Sequence, residues 1–190
     1  MRRLRITFNS PVVLGFMLLS FGVLELSAFT NGFSDQLLFM TYRSPLTDPL
    51  TYIRFFTHVL GHSGWEHYIS NASYLLLLGP LLEEKYGSKP ILQIIVLTAL
   101  FTGIVNYILF ENVALCGASG VVFAFILLTS FTNFRQGDIP LTFILVTVVF
   151  LGQQIHDGLF LQDDISNLSH IIGGVIGAII GYHLNRDDYY

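Results

Sequence analysis

The strongest constraint on the fold is a set of long stretches with few or no charged side chains. A helix needs roughly 17–25 mainly apolar residues to cross the hydrocarbon core of a bilayer. Apolar residues make up 53% of the 190 residues and charged residues only 12%, which is far from the composition of a soluble domain. We therefore expect an all-α polytopic membrane protein. Its six candidate transmembrane helices are 11–30, 65–82, 90–110, 117–133, 139–155 and 167–184.

The positively charged residues predict how these helices are oriented. If six spans alternate, only Arg43 and Arg54 of the nine Lys and Arg residues fall on the outer side. Because Lys and Arg concentrate on the cytoplasmic side, we expect cytoplasmic tails at 1–10 and 186–190 around a membrane domain at 11–185. The first stretch lacks a small-residue cleavage site and is expected to be a retained span. The cytoplasmic set is Arg2, Arg3, Arg5, Lys85, Lys89, Arg135 and Arg186.

The connection 31–64 is the longest between predicted helices, and it is not a polar linker. It is rich in aromatic and apolar residues, but Pro45, Asp48 and Pro49 interrupt it. This pattern favours short amphipathic pieces that lie in the outer membrane interface. The sequence has no recognisable soluble module, which favours the plasma membrane of a prokaryote as the location.

A serine between glycines opens the fourth span, in the segment 116–120 (CGASG). Glycine permits a sharp turn and the close approach of a ligand, which suits a nucleophilic Ser119 with backbone N–H donors beside it. The alternative is helix packing, for which Gly and Ser are common in membranes. We expect Cys116 to be a small buried apolar residue rather than the nucleophile, since a thiol needs a base that forms the thiolate.

Three spans carry polar groups near the end that the predicted topology puts outside. These groups are Ser119, His170, and the pair His67 and Asn71, which are four residues apart on one helix face. A neutral imidazole is the usual general base for a serine hydroxyl. Amide and imidazole N–H groups can stabilise the oxyanion that results. Taken singly, each residue could instead form an interhelical hydrogen bond.

Helix spacing gives a reason for Ser119 and His170 to meet. Three glycines share the helix face of His170, and a small-xxx-small pair opens span four. Such residues let two helices approach to backbone contact, so we expect spans four and six to be the closest pair. The small residues are Gly173, Gly177 and Gly181 on span six, and Gly120 and Ala124 on span four.

Other polar residues could support a metal site or a third catalytic residue. His58 and His62 stand four residues apart and could in principle bind zinc together with His67. No suitable carboxylate accompanies them, so we expect no metal and no cofactor, and we assign both to the hydrated entrance of the site. An acidic residue of the last outer loop could orient His170, but the sequence gives it no helical register. The candidates are Asp157, Asp163 and Asp164.

Taken together, these residues resemble the rhomboid intramembrane serine proteases. The resemblance covers about residues 52–184 and is carried by three stretches. They are residues 56–62 (FTHVLGH) with the following His67-x-x-x-Asn71 and Glu83-x-Lys85-Tyr86-Gly87, then Gly117-Ala118-Ser119-Gly120, and finally His170-x-x-Gly173-x-x-x-Gly177-x-x-x-Gly181.

The resemblance implies a bundle of six transmembrane helices with a large interfacial loop between the first two. It implies a dyad without an acid, in which Ser119 is the nucleophile and His170 the general base. It also implies that His67, Asn71 and Gly117 contribute to the oxyanion and substrate site, and that span five with the last outer loop forms a lateral gate and cap. The expected partners are transmembrane protein substrates within a lipid bilayer and not nucleic acid, and the oligomeric state stays open.

Two positions depart from the family pattern. Tyr42-Arg43 stands where many members carry a Trp-Arg pair, and Phe123 replaces a Tyr that often stacks on the catalytic His. Neither change removes the chemistry. Two non-enzymatic functions also stay open, a rhomboid-like pseudoprotease that binds transmembrane helices without cutting them and a small polytopic transporter. The presence of both Ser119 and His170 argues against the first, and the lack of inverted repeats argues against the second.

Overall fold

The computed structural model describes residues 7–132, 139–160 and 164–186, and the part of the chain that it describes is helical. Arg2, Arg3, Arg5, Arg135 and Asp163 lie outside the described residues, as do the side chains of Asp157 and Asp164. A short π-helix, Asp35–Phe39, follows the first α-helix. The α-helices are α1 (Pro11–Phe29), α2 (Pro49–Thr57), α3 (Trp65–Tyr86), α4 (Ser88–Leu109), α5 (Ser119–Ser130), α6 (Leu141–Phe160) and α7 (Asp164–Arg186).

Each interval predicted to span a membrane coincides with a helix, but the helices differ in length and polarity. Within the described residues, three are long and apolar enough to cross a bilayer: Pro11–Phe29, Ser88–Leu109 and Asn167–Asn185. The apolar stretches Ser119–Ser130 and Leu141–Gln153 are shorter, and α3 carries charged residues near both ends. The all-α membrane fold is therefore confirmed, while the count of six spans stays a prediction.

The carboxylate of Glu83 ties the end of α3 to the start of α1. It accepts hydrogen bonds from the backbone N–H groups of Val12 and Val13, both at 3.0 Å, and from the Ser10 hydroxyl at 2.5 Å. The Ser88 hydroxyl donates to the same carboxylate at 2.6 Å. The first N–H groups of a helix lack intrahelical partners and carry partial positive charge. The Glu83 carboxylate supplies both a hydrogen-bond acceptor and a negative charge at the start of α1. Through its bond to Ser88 it also joins α1, α3 and α4 at one end of the bundle.

Helix α5 lies at the centre of the bundle and packs most closely against α7. Ala124, Phe125 and Leu128 of α5 are completely buried. A Cβ atom added at Gly173 would clash with the carbonyl oxygen of Gly120, and one added at Gly177 would clash with that of Ala124. The predicted contact between small residues of the two helices is therefore confirmed, and it positions the first turn of α5 beside Ser169 and Gly173 of α7.

The connection between α1 and α3 contains the π-helix and α2, while its position in the outer membrane interface stays a prediction. Its central contact is the buried Arg54, whose Nε donates to the carbonyl of Leu37 at 2.9 Å and whose Nη1 lies 3.3 Å from the Asp48 carboxylate. The Tyr42 ring lies under this guanidinium, with the Arg54 Cζ 4.8 Å from the ring centroid. Arg43, in contrast, is partly exposed and pairs with Glu111. The buried arginine of the loop is thus Arg54.

The same connection braces the segment that leads into α5. Thr41 and Leu115 form an antiparallel bridge with two backbone hydrogen bonds of 2.9 Å. The buried Asn106 side chain donates to the carbonyls of Thr41 and Val113, at 3.1 and 3.2 Å. These contacts hold residues 110–118 against the loop and so determine where Ser119 begins its helix.

Candidate active site

One cavity of about 270 Å³ is lined by all four polar residues singled out in the sequence. Ser119 comes from α5, His170 from α7, and His67 and Asn71 from α3. A serine hydroxyl, two imidazoles and a primary amide therefore face the same space. The remaining lining residues are Ser70, Tyr74, Val122 and Phe123.

Ser119 is the first residue of α5, directly after a tight turn. Gly117 has φ of 125°, a conformation that residues with a side chain rarely adopt. Its backbone N–H donates to the carbonyl of His58 at 3.0 Å, so this amide is already engaged. The N–H groups of the first turn of a helix have no intrahelical acceptor and make a favourable site for negative charge. Donors beside Ser119 therefore come from the start of α5, and Gly117 contributes its conformation.

The His67 ring approaches the same turn from α3. A Cβ atom added at Gly117 would lie 2.6 Å from His67 Cε1 and 2.7 Å from Nε2, so the ring occupies the space that any side chain at Gly117 would need. On its other edge, His67 Nδ1 lies 3.1 Å from the Ser63 hydroxyl and 3.5 Å from the Ser63 backbone nitrogen. The Nε2 edge is thus the one that faces the turn before Ser119.

Asn71 presents an unsatisfied donor at this site. The residue is only 5% exposed, and its side-chain Nδ2 finds no hydrogen-bond acceptor among the described residues. A buried amide without a partner is costly. Such a donor is well suited to an anion that forms only during a reaction, because that anion supplies the missing acceptor.

The ring of His170 stacks on Phe123. The ring centroids are 4.2 Å apart and the planes differ by 5°, so Phe123 holds the imidazole plane as a tyrosine at this position would. A phenylalanine has no hydroxyl, so this contact orients the ring by packing alone. The candidate acidic partners Asp157, Asp163 and Asp164 lie where the structure gives no side-chain description.

His58 and His62 do not line the cavity, and their expected position at a hydrated entrance is wrong. Each is only 1% exposed, because α2 and the following loop fold back over α4 and α3. His58 Nε2 bonds to the Ala99 carbonyl at 3.0 Å and His62 Nδ1 to the Leu60 carbonyl at 3.1 Å. Burial lowers the pKa of each imidazole to about 4. Both rings are therefore neutral structural residues at neutral pH.

Two alternative chemistries receive no structural support. Across the described residues, no group of three His, Cys, Asp or Glu side chains is arranged to hold a metal ion. Burial, followed by the nearby Asp35 carboxylate, raises the pKa of the half-buried Cys116 thiol to about 11. A thiol is nucleophilic as its thiolate, so Cys116 is a poor nucleophile at neutral pH.

Sequence reasoning missed part of the cavity lining. Ser70 and Tyr74 lie on the same stripe of α3 as His67 and Asn71, at spacings of three and four residues. Helix periodicity alone would have identified them. The contact between Ser63 and His67 could not be predicted from helix periodicity, because Ser63 lies before α3 begins.

Comparison with known proteins identifies the family. The model of the Rhomboid domain family matches residues 49–187. The chain belongs to the rhomboid family. Membership and the apolar helices together identify it as an integral membrane protein, and the match includes every residue of the cavity described above.

Individual rhomboid relatives are distant in sequence. The chain is 27% identical to the Rhomboid protease GlpG of Haemophilus influenzae over 156 residues, which are 80% of each protein. It is 30% identical over 138 residues to Rhomboid-related protein 1 of Caenorhabditis elegans, covering 68% of this chain and 39% of that relative. It is 22% identical over 148 residues to Rhomboid-like protein 11, chloroplastic, of Arabidopsis thaliana, covering 70% of this chain and 52% of that relative.

Proposed function

We propose that this rhomboid protein is a serine endopeptidase that hydrolyses peptide bonds in or near transmembrane segments of other membrane proteins. The observation that carries the proposal is the single cavity shared by Ser119, His170, His67 and Asn71. Similarity to a protein named as a rhomboid protease, over most of both chains, supports the same reaction class.

In the proposed mechanism, the Ser119 hydroxyl attacks the carbonyl carbon of the scissile peptide bond. His170 takes the hydroxyl proton as general base and then delivers it to the leaving amine. The negative oxygen of the tetrahedral intermediate accepts hydrogen bonds from the Ser119 backbone N–H, the Asn71 amide and the His67 Nε2–H. Water then hydrolyses the acyl-enzyme by the same steps, and no cofactor or metal takes part.

The membrane setting determines which substrates can react. A transmembrane helix hides its carbonyls in internal hydrogen bonds, so substrates need residues such as Gly or Pro that weaken the helix near the cleaved bond. We propose that six helices span the bilayer, that the substrate enters beside α6, and that the cavity opens to the outer side. Both termini then face the cytoplasm, in the plasma membrane of a prokaryote.

A serine-reactive fluorophosphonate probe, used with a fluorescent transmembrane reporter peptide in detergent, tests the enzyme assignment. We expect labelling at Ser119 and cleavage that both Ser119→Ala and His170→Ala abolish. The double variant should be little worse than either single variant, because the two residues act as a unit. Asn71→Ala should lose about 10²–10³ in rate at most, since other oxyanion donors remain.

The same experiment distinguishes the alternatives. A pseudoprotease would bind the reporter peptide without labelling or cleavage, and a transporter would neither bind it tightly nor react with the probe. Cleavage by a folded Ser119→Ala protein would overturn the dyad. Loss of cleavage on chelation, restored by zinc, would replace it with a metal mechanism.

Impermeant thiol labelling of intact cells tests the orientation. In a Cys116→Ala background, Leu46→Cys supplies an exposed thiol on the loop between α1 and α3, and Asp188→Cys supplies one near the other end of the chain. We expect labelling of the first and not of the second. The opposite pattern, or labelling of both, would contradict the proposed topology.

A further inference from the structure

Ser63 lies two positions before the first residue of α3. Helix α3 has Gly64 as its N-cap, so His67 is the third helical residue. In the usual capping box, the side chain of this third residue reaches back to a backbone N–H at the N-terminus. Here the His67 ring reaches one residue beyond the N-cap, to Ser63, whose backbone nitrogen and hydroxyl lie 3.5 and 3.1 Å from Nδ1.

These contacts favour a proton on Nε2 of His67 rather than on Nδ1. A backbone N–H can only donate, so Nδ1 of His67 must accept, and the Ser63 hydroxyl can donate to the same lone pair. In a neutral imidazole the proton then sits on Nε2. The Nε2 edge faces Gly117 at the turn before Ser119, and the ring lines the cavity. The hydrogen bond at one edge of the ring therefore makes the other edge a donor.

The surroundings of His67 support a neutral ring in a defined orientation. The ring of His62 packs edge-on against it, with the centroids 5.1 Å apart. His62 donates from Nδ1 to the Leu60 carbonyl, and burial lowers its pKa to about 4, so it adds no positive charge beside His67. Ser63 itself is exposed and lies outside the cavity.

We propose that Ser63 is a positioning residue that holds His67 as the Nε2–H tautomer, so that its imidazole donates a hydrogen bond to the oxyanion. The proposal rests on the serine protease function given above. Ser63 touches no reacting atom and acts only through His67.

Reporter cleavage by Ser63→Ala and Ser63→Thr tests this role. We expect Ser63→Ala to lower kcat about three- to tenfold with little change in KM, the range for one neutral hydrogen bond. Ser63→Thr should recover most of the rate. Ser73→Ala is the matched control, because among the described residues the exposed Ser73 hydroxyl bonds only to Ile69 of its own helix. It should keep the full rate.

A double-mutant cycle and a spectroscopic measurement separate positioning from stability. If Ser63 acts through His67, Ser63→Ala should cost nothing further in a His67→Ala background. In ¹⁵N-histidine spectra, the signals that His67→Ala removes should report protonated Nε2 and unprotonated Nδ1, and Ser63→Ala should shift them toward a tautomer mixture. Equal losses in both backgrounds, or an Nδ1–H tautomer in the unaltered protein, would overturn the proposal.

The spectroscopic result also separates this proposal from the proposed function. If the unaltered protein neither cleaves the reporter nor reacts with fluorophosphonate, the protease function fails. The histidine spectra would still show whether Ser63 controls the His67 tautomer. If cleavage occurs but Ser63→Ala changes neither the histidine spectra nor the cleavage rate, only the positioning role of Ser63 fails.

Discussion

At the scale of single residues, the missing side chain of Gly117 is what lets the His67 ring reach the turn before Ser119. Gly117 combines φ of 125° with an imidazole edge in the space of its absent Cβ. Gly87 also has positive φ, 83°, but a Cβ there would have no atom within 4 Å. A substitution at Gly87 therefore shows the effect of backbone strain alone, whereas the same substitution at Gly117 adds the displacement of the His67 ring.

We predict that Gly117→Ala lowers the cleavage rate by up to about 10²–10³, as expected for the loss of one oxyanion donor, whereas Gly87→Ala keeps the rate. Both substitutions strain the backbone, at a cost of about 1–3 kcal/mol in the free energy of unfolding. Only Gly117→Ala also displaces the His67 ring from the cavity. Reporter cleavage and thermal melting in detergent measure the two effects. Full activity of a folded Gly117→Ala protein would contradict the described position of His67.

At the scale of helices, the α5–α7 contact carries the geometry of the site. Ser119 is the first residue of α5 and His170 is the seventh residue of α7, and glycines allow the two backbones to touch just beyond them. Any side chain that separates the helices moves the serine and the imidazole apart. Packed helices do not deform continuously, because their cores have near-crystalline density.

We predict that Gly177→Ala lowers the free energy of unfolding by about 1–3 kcal/mol, the usual cost of overpacking, and reduces cleavage. Its Cβ would clash with the Ala124 carbonyl. The matched control is Gly22→Ala on α1, where a Cβ meets nothing within 4 Å. That variant should melt at or above the temperature of the unaltered protein, because alanine favours helix. Equal melting temperatures for the two variants would argue against the close contact.

The loop between α1 and α3 depends in the same way on one buried arginine. We predict that Arg54→Lys lowers the free energy of unfolding by about 1.5–3 kcal/mol, the range for hydrogen bonds to a charged group. A lysine cannot reproduce the bonds that Arg54 makes to Leu37 and Asp48. Arg43→Lys should change it by less than about 1 kcal/mol, since the pair with Glu111 is exposed. Thermal melting compares the stabilities of the two variants. A larger loss of stability for Arg43→Lys than for Arg54→Lys would contradict the conclusion that Arg54 is the arginine that stabilises the loop.

At the scale of the whole molecule, two buried imidazoles link stability to pH. Folding lowers the pKa of His58 and His62 to about 4, from about 6.5 in an unfolded chain. As pH falls below 6.5, the two histidines bind protons in the unfolded chain but stay neutral in the folded protein. The contribution of the two neutral imidazoles to stability is therefore complete above pH 6.5 and is lost as pH falls toward 4.

Asp35 acts in the opposite direction. Burial raises its pKa, so protonation of this carboxyl favours the folded state.

We predict that the melting temperature falls steeply between pH 6.5 and 4. The loss reaches about 3 kcal/mol for each imidazole, from 1.36 kcal/mol per pKa unit. His58→Gln should flatten this dependence even if it lowers stability at neutral pH, because it removes one of the two proton-linked groups. An unchanged slope in that variant would show that His58 does not contribute.

The sequence by itself determined the features that follow from local spacing. Runs of apolar residues indicate helices because a bilayer leaves backbone groups no other partners, and each predicted run is a helix. The 3.6-residue period put His170 and three glycines on one face, and that face is the one that meets α5. His67 and Asn71 share a face for the same reason and line one cavity with Ser119 and His170.

Only the tertiary structure decided the contacts made by loops. Arg54 is buried and Arg43 is not, His58 and His62 lie in the interior rather than at an entrance, and the Gly117 amide is engaged by His58. A helix imposes a fixed geometry on residues three and four apart, so spacing predicts its faces. A loop imposes none, so the burial of its side chains depends on distant segments that fold over it, here α4 and residues 110–118.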